Sequence, residues 1–288
     1  MITIGLVNNM SPAAMPSTER QFSDILREAA ADVGPISLRL YRLAGAKPTD
    51  YGRLSDLQRS HLDGLIVTGA EPRVARLSEE PLWESLTKVI DWASENTAST
   101  IWSCLSAHAA AFYLDGIERH GRPEKIFGVF PSVRVNDHFF THRLQLSNAR
   151  PVWMVPHSRW NDLTEHDLTA HGYTVLAKSA DAGVDLFVKE VRRSLFFFIQ
   201  AHPEYSGNTL LREYLRDVYR FQSGQQPTPP CIPRNCLDPR LEAAVSASAD
   251  GGAELLREHS GLNQWRPQAV QLYRNWLQFI AARQRALV

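Results

Sequence analysis

Cysteine is scarce in this chain, with three residues in 288, too few for a disulfide framework. That scarcity points to a reducing cytoplasm, where an individual thiol can act as a nucleophile. Charge of one sign is missing as well. Lys and Arg total 31 and Asp and Glu total 31, so the formal net charge is zero. Nucleic acid or an anionic membrane would call for a basic surplus, and neither partner is expected. No apolar run approaches the roughly 18 residues of a membrane span; the longest candidate, Leu195–Ile199, has the length of a strand. Met1–Val7 carries no basic region and no small-residue cleavage site, so no secretory leader is expected. Neither standard spacing of a Gly-rich phosphate loop occurs. Cys231 and Cys236 have no second ligand pair, and His138 and His142 flank Phe139-Phe140, so no resident metal is expected.

The composition itself is that of an ordinary globular protein, 44% hydrophobic and 22% charged. The length is enough to bury a full core. The expected organisation is one unit over residues 1–288. Residues 1–221 form its α/β core, and the loop and terminal helix of residues 222–288 pack on it.

Short β-branched runs at Ile2–Val7, Ile36–Tyr41, Leu65–Val67 and Thr100–Ser103 read as strands. Between them, Phe22, Ile25, Leu26 and Ala29 fall at helical spacing, as do Leu82, Leu86, Val89, Ile90 and Ala93. Leu105–Leu114 is apolar enough for a buried helix. The alternation predicts a doubly wound, mostly parallel α/β sheet with flanking helices. After Lys125 the pattern turns β-rich, at Phe127–Phe130, Val152–Val155, Thr174–Ala177, Val184–Val188 and Leu195–Ile199. Their connections are too short for crossovers, so several of these strands are expected to be antiparallel. Thr209–Phe221 and Gln268–Arg285 read as amphipathic helices, Gln222–Asp238 as a loop, and Ala243–Gly252 carries little signal.

Ligands of such sheets sit at the carboxyl ends of the strands. Cys104 stands there, between a strand and a buried helix, in the layout of a nucleophile elbow. A helix start offers free N–H groups and a positive dipole end, both favourable to a thiolate and an oxyanion. Local sequence equally admits a buried structural cysteine. His202 follows the apolar strand Leu195–Ile199, so it too lies at a strand end, and Glu204 is placed to orient its imidazole. As isolated residues, Lys125 and Arg216 read as solvated surface charges.

Longer ordered stretches carry a resemblance. They include Asp63-Gly-Leu-Ile-Val-Thr-Gly-Ala, Ser99-Thr-Ile-Trp-Ser-Cys104, Pro123-Glu-Lys125, Val155-Pro-His-Ser158-Arg159, His202-Pro-Glu204-Tyr and Glu213-Tyr-Leu-Arg216-Asp217. With these, nearly the whole chain resembles the homoserine O-succinyltransferase/O-acetyltransferase family, whose fold is flavodoxin-like and of the class I glutamine-amidotransferase type. The resemblance implies a ping-pong acyltransferase. Cys104 takes an acyl group from succinyl-CoA or acetyl-CoA, His202 is the base and Glu204 supports it. Backbone N–H groups at Ala70 and Leu105 stabilise the oxyanion. Lys125, Ser158 and Arg216 match positions that hold homoserine or a similar hydroxy amino acid, and Arg216 grips its carboxylate. The resemblance implies acyl-CoA as co-substrate with no bound cofactor, a place in methionine biosynthesis and a homodimer.

The chain departs from the family pattern in four places. Leu105 and Ser106 stand where the family has Trp and Gly. The Asn9–Pro16 loop lacks a Lys, and the chain begins later. Arg73 occupies the position that selects the acyl group, where a cation either pairs with a succinyl carboxylate or faces solvent. Two other readings stand beside the acyltransferase: a glutaminase using the same Cys-His-Glu set, and a non-enzymatic member of the fold. Trp102 and Ser106 disfavour the glutaminase, which needs glycine on both sides of its cysteine. An intact set of three disfavours the non-enzyme.

Overall fold

A computed structural model describes residues 1–144, 152–248, 250–256, 259 and 261–286. In chain order the strands are β1 (Ile2–Val7), β2 (Ile36–Tyr41), β3 (Gly64–Val67), β4 (Ser99–Ser103), β5 (His120–Arg134), β6 (Val152–Asp162), β7 (Thr174–Ser179), β8 (Gly183–Val191) and β9 (Ser194–Ile199). The helices are α1 (Met15–Ala30), α2 (Leu54–Gln58), α3 (Trp83–Asn96), α4 (Leu105–Asp115), α5 (Glu165–Ala170), α6 (Thr209–Gln222), α7 (Pro239–Ser246), α8 (Ala253–Leu256) and α9 (Arg266–Arg285).

All nine strands join one sheet, in the order β2-β1-β3-β4-β9-β8-β7-β5-β6. The first five are parallel, as the strand–helix alternation requires. The remainder is antiparallel and continues the same sheet from β9 onward. β9 is the hinge of this architecture. It pairs in parallel with β4 on one side and antiparallel with β8 on the other, and every one of its residues is buried. Its unbroken apolar run suits a strand covered on both faces.

Local chemistry sets several element boundaries. Pro16 lies in the first turn of α1, where its missing N–H costs nothing. Gly116 closes α4 in the left-handed conformation, at φ 69°. Within β5, the register against β6 breaks between Gly121 and Ile126. Pro123 lies in this break and has no N–H to give to a ladder, so the strand stretches over His120–Arg134 with Lys125 at an irregular position. Ala243–Gly252, silent in the sequence, begins with the second half of α7, whose N-cap is Asp238 accepting from the Arg240 and Leu241 N–H groups. The sequence reading also did not anticipate α2 and α5, which are only five and six residues long.

Helix α9 packs on the parallel half of the sheet. Trp276 is fully buried and donates to Ser99 Oγ at 3.0 Å. Tyr273 meets Phe22 of α1 edge-on at 6.3 Å, and Asn275 donates to the Phe140 and His142 carbonyls. His138, one of the two histidines first weighed as metal ligands, accepts the Phe140 N–H instead. Among the described residues, no cluster of three or more His, Cys, Asp or Glu side chains could hold a metal, and no helix is long and apolar enough to cross a membrane.

The depth of this packing makes α9 part of the core. Trp276→Ala is expected to cost about 3–5 kcal/mol, read by chemical denaturation. A loss under about 1 kcal/mol would show that α9 is an accessory to the fold.

Candidate active site

β4 and β9 are adjacent and parallel, with Ser103 opposite Ile199. The chain leaves both strands at the same level, and that register brings Cys104 and His202 together. The Cys104 N–H donates to the Ile199 carbonyl at 2.8 Å. Cys104 then turns into α4 with φ 52° and ψ −115°, a strained conformation for a side-chain-bearing residue. The turn aims the sulfur outward into a cleft while Leu105 starts the helix. In the first turn of α4, the Leu105 N–H has no intrahelical acceptor.

Two features hold this elbow. Gly69, just past β3, passes so close that a Cβ would stand 3.2 Å from Cys104 Cβ and 3.2 Å from the Leu105 nitrogen. Its missing side chain lets Ala70 reach the cleft wall beside the sulfur. The second is Ser106, the departure from the family glycine. Its hydroxyl accepts the Ser103 N–H at 2.9 Å and donates to the Val67 carbonyl at 2.7 Å. The side chain therefore pins the elbow to the end of β3. Trp102 is wholly buried against Phe196, a packing residue. His108, also buried, donates to Gln200 Oε1 at 2.8 Å, and burial drives its pKa down to about 3, so it is neutral.

The imidazole of His202 is fixed from three directions. Its backbone N–H donates to the Pro156 carbonyl, its Nδ1 donates to Glu204 Oε1 at 2.8 Å, and the Tyr205 ring stacks on it at 4.3 Å. With Nδ1 committed, Nε2 is left for the sulfur. Burial lowers the pKa of His202, but the Glu204 carboxylate and the Cys104 sulfur outweigh it and hold it well above the usual value. The three residues read as chemistry from the sequence thus form one constellation.

Lys125, Ser158 and Arg216 also converge, on the opposite wall of a cleft of about 510 Å³. Ser158 donates to Glu213 Oε2 at 2.6 Å. Lys125 lies 3.3 Å from Asp217 and 3.8 Å from Glu213, with its ammonium over the Phe127 ring. Arg216 is held by Asp217 at 2.8 Å and remains half exposed. Arg159, beside Ser158, is buried and pairs with Asp162 and the Ala182 carbonyl, so it supports the strand.

The sequence reading named no role for Glu213, Asp217, Arg220 or Tyr205. The first three form one stripe of α6 together with Arg216, and their i, i+3, i+4, i+7 spacing was visible in the sequence. Tyr205 donates to Glu213 Oε1 at 2.6 Å and so links the His202 loop to this stripe. Arg119 also lines the cleft. Of the two readings open for Arg73, the arrangement matches the one that faces solvent. Its side chain is exposed, and the cleft wall is formed by its neighbours Glu71 and Pro72. Its backbone N–H donates to Glu80 Oε1 at 2.9 Å.

The family model described as homoserine O-succinyltransferase matches residues 1–287. A homoserine O-succinyltransferase of Rhodopseudomonas palustris is 42% identical, covering 98% of this chain and 89% of that one. One of Methylorubrum extorquens is 40% identical, covering 98% and 88%. Among solved structures, a glutamine amidotransferase from Thermotoga maritima superposes with a TM-score of 0.54 at 13% identity, covering 97% of this chain and 98% of that one. The likeness at that identity is one of fold.

Two outcomes follow from the site's geometry. Ser106→Ala leaves a buried N–H and a buried carbonyl without a partner, a loss of about 1–3 kcal/mol, seen in urea denaturation; an unchanged midpoint would show that the hydroxyl pins nothing. Glu204→Gln removes the carboxylate that raises His202. The native state holds the His202 proton to higher pH than the unfolded chain does. Stability from the pair is therefore complete below the ordinary value of 6.5 and lost as pH climbs through the native one. The variant's imidazole should titrate at lower pH by NMR, and an unmoved titration would remove Glu204 from this role.

Proposed function

The chain belongs to the homoserine O-succinyltransferase family, and from that premise we propose how this cleft transfers an acyl group to homoserine. It is an O-acyltransferase acting on homoserine, and the donor in our reading is an acyl-CoA thioester. The observation that carries the reading is the meeting of Cys104 with the His202–Glu204 pair at adjacent strand ends, inside a cleft whose far wall is charged.

In the first half-reaction, His202 Nε2 takes the thiol proton and Cys104 Sγ attacks the thioester carbonyl. The C–S bond to CoA breaks as the acyl–Cys104 bond forms, and the departing CoA sulfur receives the proton from His202. In the second half, Nε2 takes the hydroxyl proton of the amino acid. The alkoxide oxygen attacks the acyl-enzyme carbonyl, the C–S bond breaks, the O-acyl ester is released, and Cys104 leaves as a thiolate that shares the proton held on His202, which restores the starting pair. Both tetrahedral intermediates place negative charge near the N–H groups of Ala70 and Leu105, where a fixed donor needs no reorganisation. One thioester replaces another in the first half, so the protein's task is chiefly positioning and charge stabilisation.

The charged wall suits an amino acid. Arg216 keeps one edge of its guanidinium free for the carboxylate, while Glu213 and Asp217 give the ammonium a counter-charge. Lys125 and Ser158, hydrogen-bonded into the same cluster, set the spacing between the two ends. The acyl group's identity is the finer question, and Arg73 is its candidate from the loop after β3. A homodimer, a cytoplasmic address and the organisation into residues 1–221 with 222–288 packed on them complete this reading. The deep burial of Trp276 supports the last of these.

The glutaminase alternative shares the fold of the Thermotoga protein but not its family. The buried Trp102 and the engaged Ser106 occupy the positions where that chemistry wants glycine.

Intact-mass measurement after mixing with succinyl-CoA should show one added acyl group, absent in Cys104→Ala. His202→Asn should stay folded and lose at least about 100-fold in turnover. No mass shift in the parent protein, or near-normal turnover without His202, would refute the covalent route.

A further inference from the structure

The loop between β3 and α3 is held from inside by two oppositely charged side chains. Glu80, buried, accepts the Arg73 and Val74 N–H groups on one oxygen. Arg119, in the segment joining α4 to β5, donates from Nη2 to the Val74 and Ala75 carbonyls at 3.2 and 2.8 Å. These two bonds fix the plane of the guanidinium. Its other terminal nitrogen, Nη1, is buried and has no partner among the described residues.

Arg119 lines the cleft that holds Cys104. Burial lowers its pKa, while Glu80 and the Cys104 sulfur oppose that shift, which places the cation within electrostatic reach of the nucleophile. No carboxylate among the described residues lies within ion-pair distance of it. The other arginines and lysine of the cleft each have a carboxylate partner, Lys125 and Arg216 in Asp217, Arg220 in Glu71 and Arg159 in Asp162, although Arg159 too has unpartnered nitrogens. A half-buried guanidinium, oriented by two carbonyls and with one orphan nitrogen, carries a desolvation cost that an anion would offset.

We propose that Arg119, rather than Arg73, recognises the acyl group: its free Nη1 binds the terminal carboxylate of a dicarboxylic acyl chain carried on Cys104. This rests on the acyl-transfer reading above and deepens it. Arg73 turns its charge to solvent, and its sequence neighbours supply the carbonyls that aim Arg119. The specificity loop thereby acts through its backbone, orienting a cation delivered from another part of the chain. An anion at this depth could also belong to a phosphate of the CoA moiety, and the choice of donors separates the two. Succinyl-CoA and butyryl-CoA have the same acyl chain length and the same phosphates and differ in the terminal carboxylate.

The test is the rate of Cys104 acylation by each donor, followed by intact mass. In Arg119→Gln, whose amide can still donate to the Val74 and Ala75 carbonyls, the succinyl-to-butyryl ratio should fall about 10- to 100-fold. Arg119→Lys should recover part of it, since charge returns without the fork. A ratio unchanged in both variants, including equal loss with both donors, overturns the proposal and points to a phosphate or a structural role. A ratio that moves in Arg73→Gln and not in Arg119→Gln overturns it too. If the parent protein forms no acyl-enzyme with either donor, the acyl-transfer reading itself fails, an outcome distinct from all of these.

Discussion

The register between β4 and β9 is the constraint on which the site depends. Ser103 faces Ile199, and the next residue on one strand delivers the sulfur while the loop leaving the other delivers the imidazole. A shift of one residue in that pairing would turn each side chain to the opposite face of the sheet. Strand β9, paired with β4 on one edge and β8 on the other, holds that register through two ladders at once.

Around this fixed point the cleft has two walls of different character. One is built from backbone: the elbow, Gly69, Ala70 and the start of α4. In the proposed reaction it would stabilise charge that appears transiently, and main-chain groups held rigidly are suited to that. The other wall is built from side chains on α6, β5 and β6, already joined to one another in the structure. Tyr205 couples the two, with its ring on His202 and its hydroxyl on Glu213. Movement of the α6 wall is therefore felt at the His202 imidazole.

Much of this was legible in the sequence, and the unequal legibility has physical causes. The parallel strands could be read because each is an apolar run bounded by turn residues, and Cys104 and His202 could be placed at strand ends from those runs alone. The convergence of Lys125, Ser158 and Arg216 was implied only by family resemblance, since their partners come from elements far apart in the chain. The irregular stretch of β5 around Pro123 was hidden because a broken register has no periodicity. Arg119 escaped notice for a different reason: an arginine in a polar turn carries no sign of burial, and only the tertiary structure shows its unpaired nitrogen. Arg73 was prominent because of its position in the loop, yet sequence position does not settle which way a side chain faces.

The rim of the cleft carries one further feature. Arg220 of α6 grips Glu71 of the loop after β3 with two hydrogen bonds, 2.7 and 3.2 Å, between residues 149 positions apart. This clasp joins the two walls across the mouth, and Glu71 is more than half exposed. Its attraction is thus open to screening by dissolved ions. Ionic strength therefore weakens this rim contact, while the buried His202–Glu204 pair beneath is screened much less.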